Sequence, residues 1–505
     1  MALISILSTI SPSQAIIGVV VFSACLLVLR SNFRAAFSPL RSVPGPFLAR
    51  FTRLWYLYKI WEGDFEETQR TLHRRYGSIV RLTPYEYSFD DPTVIRTIYG
   101  HGTSFTKAPF YHASANLDYH TEDLFSGKDP KVHSMNRRKV APLYSMTAVL
   151  RMEEPVNEAI EVFEKSLQHI ANSELDINLQ WWLQCFAFDA IAAISVGKRF
   201  GFLDEGEDPL DLVNTIEKFL FYSTHVGVYH ELHQAAFKIM KRIGAHGSLN
   251  MWKFSVKQIE ERLNSQGDPE KKVEGHDFLA GLLRFHQEEP RSFLMEDVIA
   301  TINGNIMAGS DTTSISLTSI IWNMLRTPRV IQRLRAEIEE KAACGELSDP
   351  ITFSEAQKMP YLQAVIQEGL RMHPVFGISL WRQVPRGGAQ LAGKFFPEGT
   401  VVGSNAWQIH ANKRVFGDDA DQFRPERWLE GKEKSVEMDR YFLTFAYGLR
   451  VCIGKNIAFL EMYKLVPTLV RKFDFELCNP DAEVECSNRT LVKQHNIKVR
   501  VRMRE

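Results

Sequence analysis

The segment Phe445-Ala446-Tyr447-Gly448-Leu449-Arg450-Val451-Cys452-Ile453-Gly454 constrains this chain more than any other stretch of it. It sets one cysteine between two glycines, just ahead of a run with helical spacing. Glycine takes up tight-turn dihedrals and lets the backbone approach a bulky flat group. A helix amino terminus stabilises negative charge, which lowers a thiol pKa and favours a thiolate at Cys452. Arg450 adds a cation suited to a carboxylate. A buried structural thiol is the commoner fate of a free cysteine, but these neighbours point to a sulfur presented to a ligand.

The other cysteines (Cys25, Cys185, Cys344, Cys478, Cys486) are scattered, with no C-x-x-C pair. That excludes zinc-like spacing and a disulfide framework. Cys478 and Cys486 are the one near pair, and no bridge is expected there. Sixty basic residues balance sixty acidic ones, so no net field recruits nucleic acid.

A second segment breaks local rules. Ala308-Gly309-Ser310-Asp311-Thr312-Thr313 lies inside an apolar-periodic run, Glu296–Leu325. Small residues followed by an acid and an alcohol are poor helix-interior material, and such conflicts mark functional sites. Helical spacing puts Thr301, Asn305, Ala308 and Thr312 on one stripe. Asn305 could then offer its amide to a ligand, although an amide satisfied by neighbouring backbone is the usual case for a buried Asn.

No charged side chain occurs from Met1 to Leu29, and Ile16–Leu29 is almost wholly apolar. Extended back to Ile10, this run approaches the ~20 residues that cross a bilayer. A cleaved signal peptide would want basic residues before the run and a small-x-small site after it. Here Arg30, Arg34 and Arg41 follow it, which favours an anchor with the body in the cytosol. The expected division is an anchor over 1–29, a basic, proline-rich linker over 30–46 ending at Pro44-Gly45-Pro46, and one body over 47–505. A cytosolic body leaves the sequon Asn488-Arg489-Thr490 unused.

Spacing through the body is mostly helical to about residue 290, including Trp181–Val196, with a polar surface loop at Asn264–Glu274. Helices are expected over Glu296–Leu325, over Ser354–His373 and after Gly454, the last kinked at Pro467. Short strands separated by Arg386-Gly387-Gly388 and Pro397-Glu398-Gly399 turns fill Leu380–Val402, and Asp418–Glu430 is turn-rich. The outline is mainly α with a small β portion.

At every fixed position the cysteine segment resembles the haem-binding signature of the cytochrome P-450 family, F-x-x-G-x-R-x-C-x-G. The resemblance implies that fold, preceded by one N-terminal transmembrane helix. It implies haem b, with Cys452 as the axial thiolate ligand of iron and Phe445, Gly448 and Arg450 in the cofactor loop. Thiolate ligation favours O–O cleavage, and this family is the standard example. The A/G-G-x-D/E-T-T/S pattern at Ala308–Thr313 implies a helix across the haem face. There Ala308 and Gly309 leave room for dioxygen, Thr312 supports its protonation and Asp311 relays protons. Glu368 and Arg371, followed by His373-Pro374 and by Phe423-Arg424-Pro425-Glu426-Arg427-Trp428, resemble the family's E-x-x-R helix and P-E-R-F segment, with Trp428 replacing Phe. Arg427 is then expected to complete a structural Glu368–Arg371–Arg427 network. Arg382 matches a propionate-holding position, as does Arg137 in a W-x-x-x-R motif whose Trp is replaced by His133.

The implied activity is insertion of one oxygen atom from O2 into a lipophilic small molecule. No G-x-G-x-x-G fingerprint follows a strand, so electrons are expected from a separate NADPH-dependent reductase, at the endoplasmic reticulum membrane. Tyr99-Gly100, Phe105-Thr106-Lys107 and Phe110-Tyr111 are similar to fungal members of the pisatin demethylase type. This points to secondary metabolism of terpenoid, polyketide or aromatic compounds. Candidate pocket segments are Phe105–Leu124, Asn303–Gly309 and Val375–Leu380. A haem-thiolate isomerase or dehydratase would need no acid–alcohol pair, and a non-catalytic membrane haem protein would need no substrate pocket. Asp311 and Thr312 favour the oxygenase.

Overall fold

The computed structural model describes residues 36–119, 122–266 and 275–504, with Leu29 and Phe33. The expected anchor therefore lies, but for its last residue, outside the described residues, as does most of the expected loop at 264–274. The start of that loop is helical, because the helix Gly247–Gln266 runs into it.

Six helices position the site: α1 (Pro130–Val140), α2 (Leu179–Val196), α3 (Leu212–Val228), α4 (Met295–Leu325), α5 (Pro360–Met372) and α6 (Lys455–Lys472). Asp129 caps α1 by accepting from the Lys131 and Val132 amides, with Pro130 at the first position, where its missing N–H costs nothing. Almost every residue of α2 is buried. By length and hydropathy α2 qualifies to cross a bilayer, but here its apolar circumference faces protein on all sides. Against it lies α4, and a Cβ added at Gly309 would meet Ile191 Cγ1 at 2.6 Å. At the crossing of α4 and α5 a Cβ on Gly369 would stand 2.5 Å from Ile320. Small residues thus let three backbones converge.

The helix expected over Ser354–His373 is two, Phe353–Ala356 and Pro360–Met372. Pro360 cannot donate to a preceding turn and disfavours helical dihedrals at Met359, so a new helix starts at it. Pro467 lies inside α6, which continues through it.

The expected strands at Leu380–Val402 are present. Five strands, β1 (Ile79–Arg81), β2 (Glu86–Phe89), β3 (Thr106–Lys107), β4 (Arg382–Gln383) and β5 (Val401–Gly403), form one sheet in the order β1-β2-β5-β4-β3. β2 runs parallel to β5 with Tyr87 beside Val402, and Lys107 pairs with Arg382. This pairing brings two cations from distant parts of the chain together. A hairpin of β6 (Glu485–Arg489) and β7 (Leu491–His495) reaches back to the centre. There the Val492 amide donates to Val375 O at 2.9 Å and Gln494 Nε2 to Ile315 O at 3.2 Å.

Asn488 sits in β6, 2% exposed, and its Nδ2 donates to Glu66 Oε2 and Gly377 O. The sequon is closed to modification in the folded chain. Cys478 and Cys486 are free thiols.

Candidate haem-thiolate site

The Glu368 carboxylate is fully buried, and its neighbours meet that cost with donors. Arg371 donates Nε and Nη2 at 2.8 Å each, Arg427 donates Nε at 2.9 Å, and the Arg424 amide adds a bond at 3.0 Å. Trp428 Nε1 completes the set at 2.9 Å, a bond that Phe at this position could not make. The second guanidinium also pairs with Asp419 at 3.0 Å. The expected network is present, and the Trp adds to it.

The cysteine segment is a loop closed by a Cys452 amide bond to Phe445 O at 2.8 Å. Gly448 has φ +69°, and a Cβ there would stand 1.9 Å from Tyr99 O; only glycine fits. Ala446 also takes a positive φ, 60°. Phe445 packs on Phe459 of α6 with ring centroids 5.3 Å apart. Cys452 is solvent-accessible although protein surrounds it in depth, which suits a sulfur presented to a ligand held within the fold. Burial raises its thiol pKa, against opposing pulls from the Gly454 amide, Arg137 and the Lys455 amide. The helix start does aim amides at the sulfur as expected, but desolvation outweighs them, so the expected lowering is not what the protein alone produces. A bound metal cation deprotonates such a thiol outright.

Cations gather beside this loop. Arg450 donates Nη1 to Gly127 O at 2.8 Å and Nη2 to Lys128 O at 3.3 Å. Its pKa falls to about 10, through burial first and then Arg382. Arg382 is buried, with its guanidinium 5.1 Å from the Tyr99 ring. His133 is pushed down to about 3 by burial, then by Arg450 and Arg137, so its imidazole is neutral. Sequence reasoning missed Lys107, which is buried with its Nζ 4.2 Å from the Tyr111 ring. Burial, then Arg382 and Arg450, holds its pKa well below the usual range. The strand pairing of Lys107 with Arg382 was the missing signal.

Four cations that disfavour one another, opposed nearby by Glu122 and Asp123, suit a ligand with two carboxylates. Add an accessible cysteine, and the donor set fits haem.

On α4, a helix otherwise mostly buried, Gly304 and Ala308 are open and Thr301 and Thr312 half-buried. Thr312 Oγ1 donates to Ala308 O at 2.6 Å. The small pair divides its work: Ala308 faces open space, while Gly309 is small because Ile191 abuts it. Asn305 is buried, its Oδ1 accepting from the Tyr144 hydroxyl at 2.5 Å, a side-chain contact and not the backbone one of the alternative, while its Nδ2 has no hydrogen-bond partner among the described residues. Tyr144 O also accepts from Asn456 Nδ2 of α6 at 2.8 Å. Burial, then the charge of Cys452, raises the Tyr144 pKa, which places the sulfur and α4 around one tyrosine. Asp311 is buried and accepts from Gln184 Nε2 of α2.

A largely apolar cavity of about 610 Å³ lies between α3, the β6–β7 hairpin and α4, reaching Asp311 and Ile315.

This helical fold with its small sheets and cysteine loop is that of a haem protein, and the chain belongs to the cytochrome P-450 family, which it matches over residues 44–501. It is a cytochrome P-450 monooxygenase carrying haem b with thiolate ligation. It is 37% identical to a pisatin demethylase of Fusarium vanettenii over 89% of this chain and 86% of that protein. It is 35% identical to the cytochrome P-450 monooxygenase hepC of Aspergillus oryzae, with 92% of each chain covered. To gsfF, a cytochrome P-450 monooxygenase of Penicillium aethiopicum, it is 33% identical over 92% of this chain and 94% of that one.

Proposed function

We propose that Cys452 is the axial ligand of the haem iron and that the chain oxidises a lipophilic secondary metabolite of terpenoid, polyketide or aromatic type. The observation that carries the ligand assignment is the exposed Cys452 beside Arg137, which in turn belongs with Arg450, Arg382 and Lys107 to one group of cations. Arg382, Arg450 and Arg137 hold the propionates, with neutral His133 positioned to donate one hydrogen bond; Phe445 and Gly448 shape the loop. When bound, haem supplies the chemistry of dioxygen activation. The protein's part is positional. Ala308 and Gly309 keep α4 narrow, Thr312 presents a hydroxyl, and Asp311 passes protons toward it.

The cavity of about 610 Å³ falls in the range of small-molecule pockets, ~300–1,000 Å³. Its apolar wall supports a lipophilic substrate, and the likeness to fungal monooxygenases supports secondary metabolism. Electrons come from a separate NADPH-dependent reductase. Residues 1–29 anchor the chain in the endoplasmic reticulum membrane, residues 30–46 link, and 47–505 form the catalytic body in the cytosol. Exposed Phe37, Phe47, Leu48, Leu54, Tyr58 and Trp61 support a lipid-facing surface next to the linker.

The test is spectroscopic. Reduced under carbon monoxide, the purified chain gives the thiolate-type Soret shift, and Cys452→Ala loses it. Retention of that spectrum in Cys452→Ala refutes the ligand assignment.

A further inference from the structure

One ammonium on the wall of the α3–α4 cavity serves two carboxylates on different elements. Lys493, on β7, has a side chain only 11% exposed, and its Nζ donates to Glu217 Oε1 of α3 at 2.9 Å. The same Nζ stands 3.8 Å from Asp311 Oδ1 of α4. Glu217 is half-exposed, whereas Asp311 is sealed. At 3.8 Å the second contact is not a hydrogen bond, but charge–charge interaction persists at that distance, and more so away from water. Burial raises the Asp311 pKa, Lys493 opposes that rise and Glu217 adds to it. From α2, Asp311 faces the neutral amide of Gln184. On the hairpin, His495 feels both Lys493 and Glu217, and Glu485 pairs across from His495. Glu217, Lys493 and Asp311 all line the cavity.

We propose that Lys493 is a positioning residue for proton delivery: its ammonium is divided between Glu217 and Asp311, and its distance from Glu217 sets how tightly Asp311 holds a proton. This rests on the assignment of Asp311 as the proton relay. Drawn toward Glu217, the ammonium leaves Asp311 less supported and its neutral acid favoured. Freed from Glu217, it turns to Asp311 and favours the carboxylate. Because Glu217 rides on α3 and Lys493 on the hairpin, any displacement of α3 from the hairpin by a cavity ligand changes this division. The proton affinity of the relay is thereby tied to occupancy of the cavity.

The experiment uses the haem-loaded full chain with an NADPH-dependent cytochrome P-450 reductase and no added organic substrate. NADPH consumption is followed across pH, in light and heavy water. Asp311→Asn is expected to slow consumption about a hundredfold, the scale of general acid catalysis, and to abolish the limb of the pH profile that Asp311 governs. Lys493→Met is expected to move that limb up by about one pH unit, and Glu217→Gln to move it down by about as much. Opposite shifts from two changes to one ion pair are not what a purely structural tie produces. If Asp311→Asn leaves rate and limb unchanged, the relay assignment fails and takes this proposal with it. If Asp311→Asn behaves as expected but the charge variants leave the limb in place, or move it the same way, the proposal alone is overturned. Glu217 is half-exposed, so Glu217→Gln decides the question even where Lys493→Met does not fold.

Discussion

Trp428 shows how one atom changes what a buried charge needs. Its indole N–H donates to Glu368 Oε2 at 2.9 Å, and losing a hydrogen bond to a charged acceptor costs about 1–3 kcal/mol. Trp428→Phe is expected to lower the urea midpoint accordingly, while the carbon monoxide spectrum keeps its thiolate form; an unchanged midpoint would show the bond contributes nothing. Thr312→Ala removes the hydroxyl held over Ala308 O. It is expected to leave NADPH consumption running while hydrogen peroxide or water replaces oxygenated product, measured as product formed per NADPH. Normal coupling in this variant would count against Thr312 as a proton-delivering group. At this scale the cysteine-bearing loop and the Glu368–Arg371–Arg427 network were legible because each member sits in a short motif. The contact of Asn305 Oδ1 with Tyr144 was not, because periodicity identifies a face of a helix but not what packs against it. The partners of Lys107, Tyr99 and Lys493 were hidden for the same reason: each is met across strand pairs or helix contacts that no local pattern encodes.

Elements are set by where backbones must pass close together. The cysteine loop meets the end of the helix Val94–Tyr99, with Gly448 against Tyr99 O. Gly448→Ala combines a positive φ with a backbone clash, so a loss of about 3 kcal/mol or more is expected. Urea unfolding and haem content per chain measure it; full haem incorporation at unchanged stability would mean the loop can shift aside freely. The mainly helical outline and the strands at Leu380–Val402 were legible from spacing and from glycine-bearing turns. β1, β2 and β3 are as short as those strands, two to four residues each, so alternation does not register in them, and they lack the Gly-Gly and Pro-x-Gly turns that bracket the strands at Leu380–Val402. The anchor-like hydropathy of α2 carries the same lesson, since an apolar circumference suits a core as well as a bilayer.

In the whole molecule, buried titratable groups set how stability responds to pH. Glu461 is sealed against α4, and burial pushes its carboxyl up to about 8, with Thr313 pulling weakly the other way. In the unfolded chain it titrates near the ordinary 4.5. Unfolding therefore releases its proton between those values, so the stability it contributes is complete below about 4.5 and is lost as pH rises toward 8. One such group gives a slope of at most about 1.4 kcal/mol per pH unit. Glu461→Gln is expected to flatten the decline in urea stability over that window, and an undiminished slope would place the effect elsewhere. Topology bears on synthesis as well. The loop that carries the sulfur is shaped against Tyr99 O, which leaves the ribosome hundreds of residues before Gly448 does. A nascent chain can fold its early helices while translation continues, but this joint stays open until Gly448 has left the ribosome. If Cys452 holds the iron as proposed, haem is captured only after that loop has emerged, and ribosome-bound fragments ending before Cys452 are expected to remain colourless.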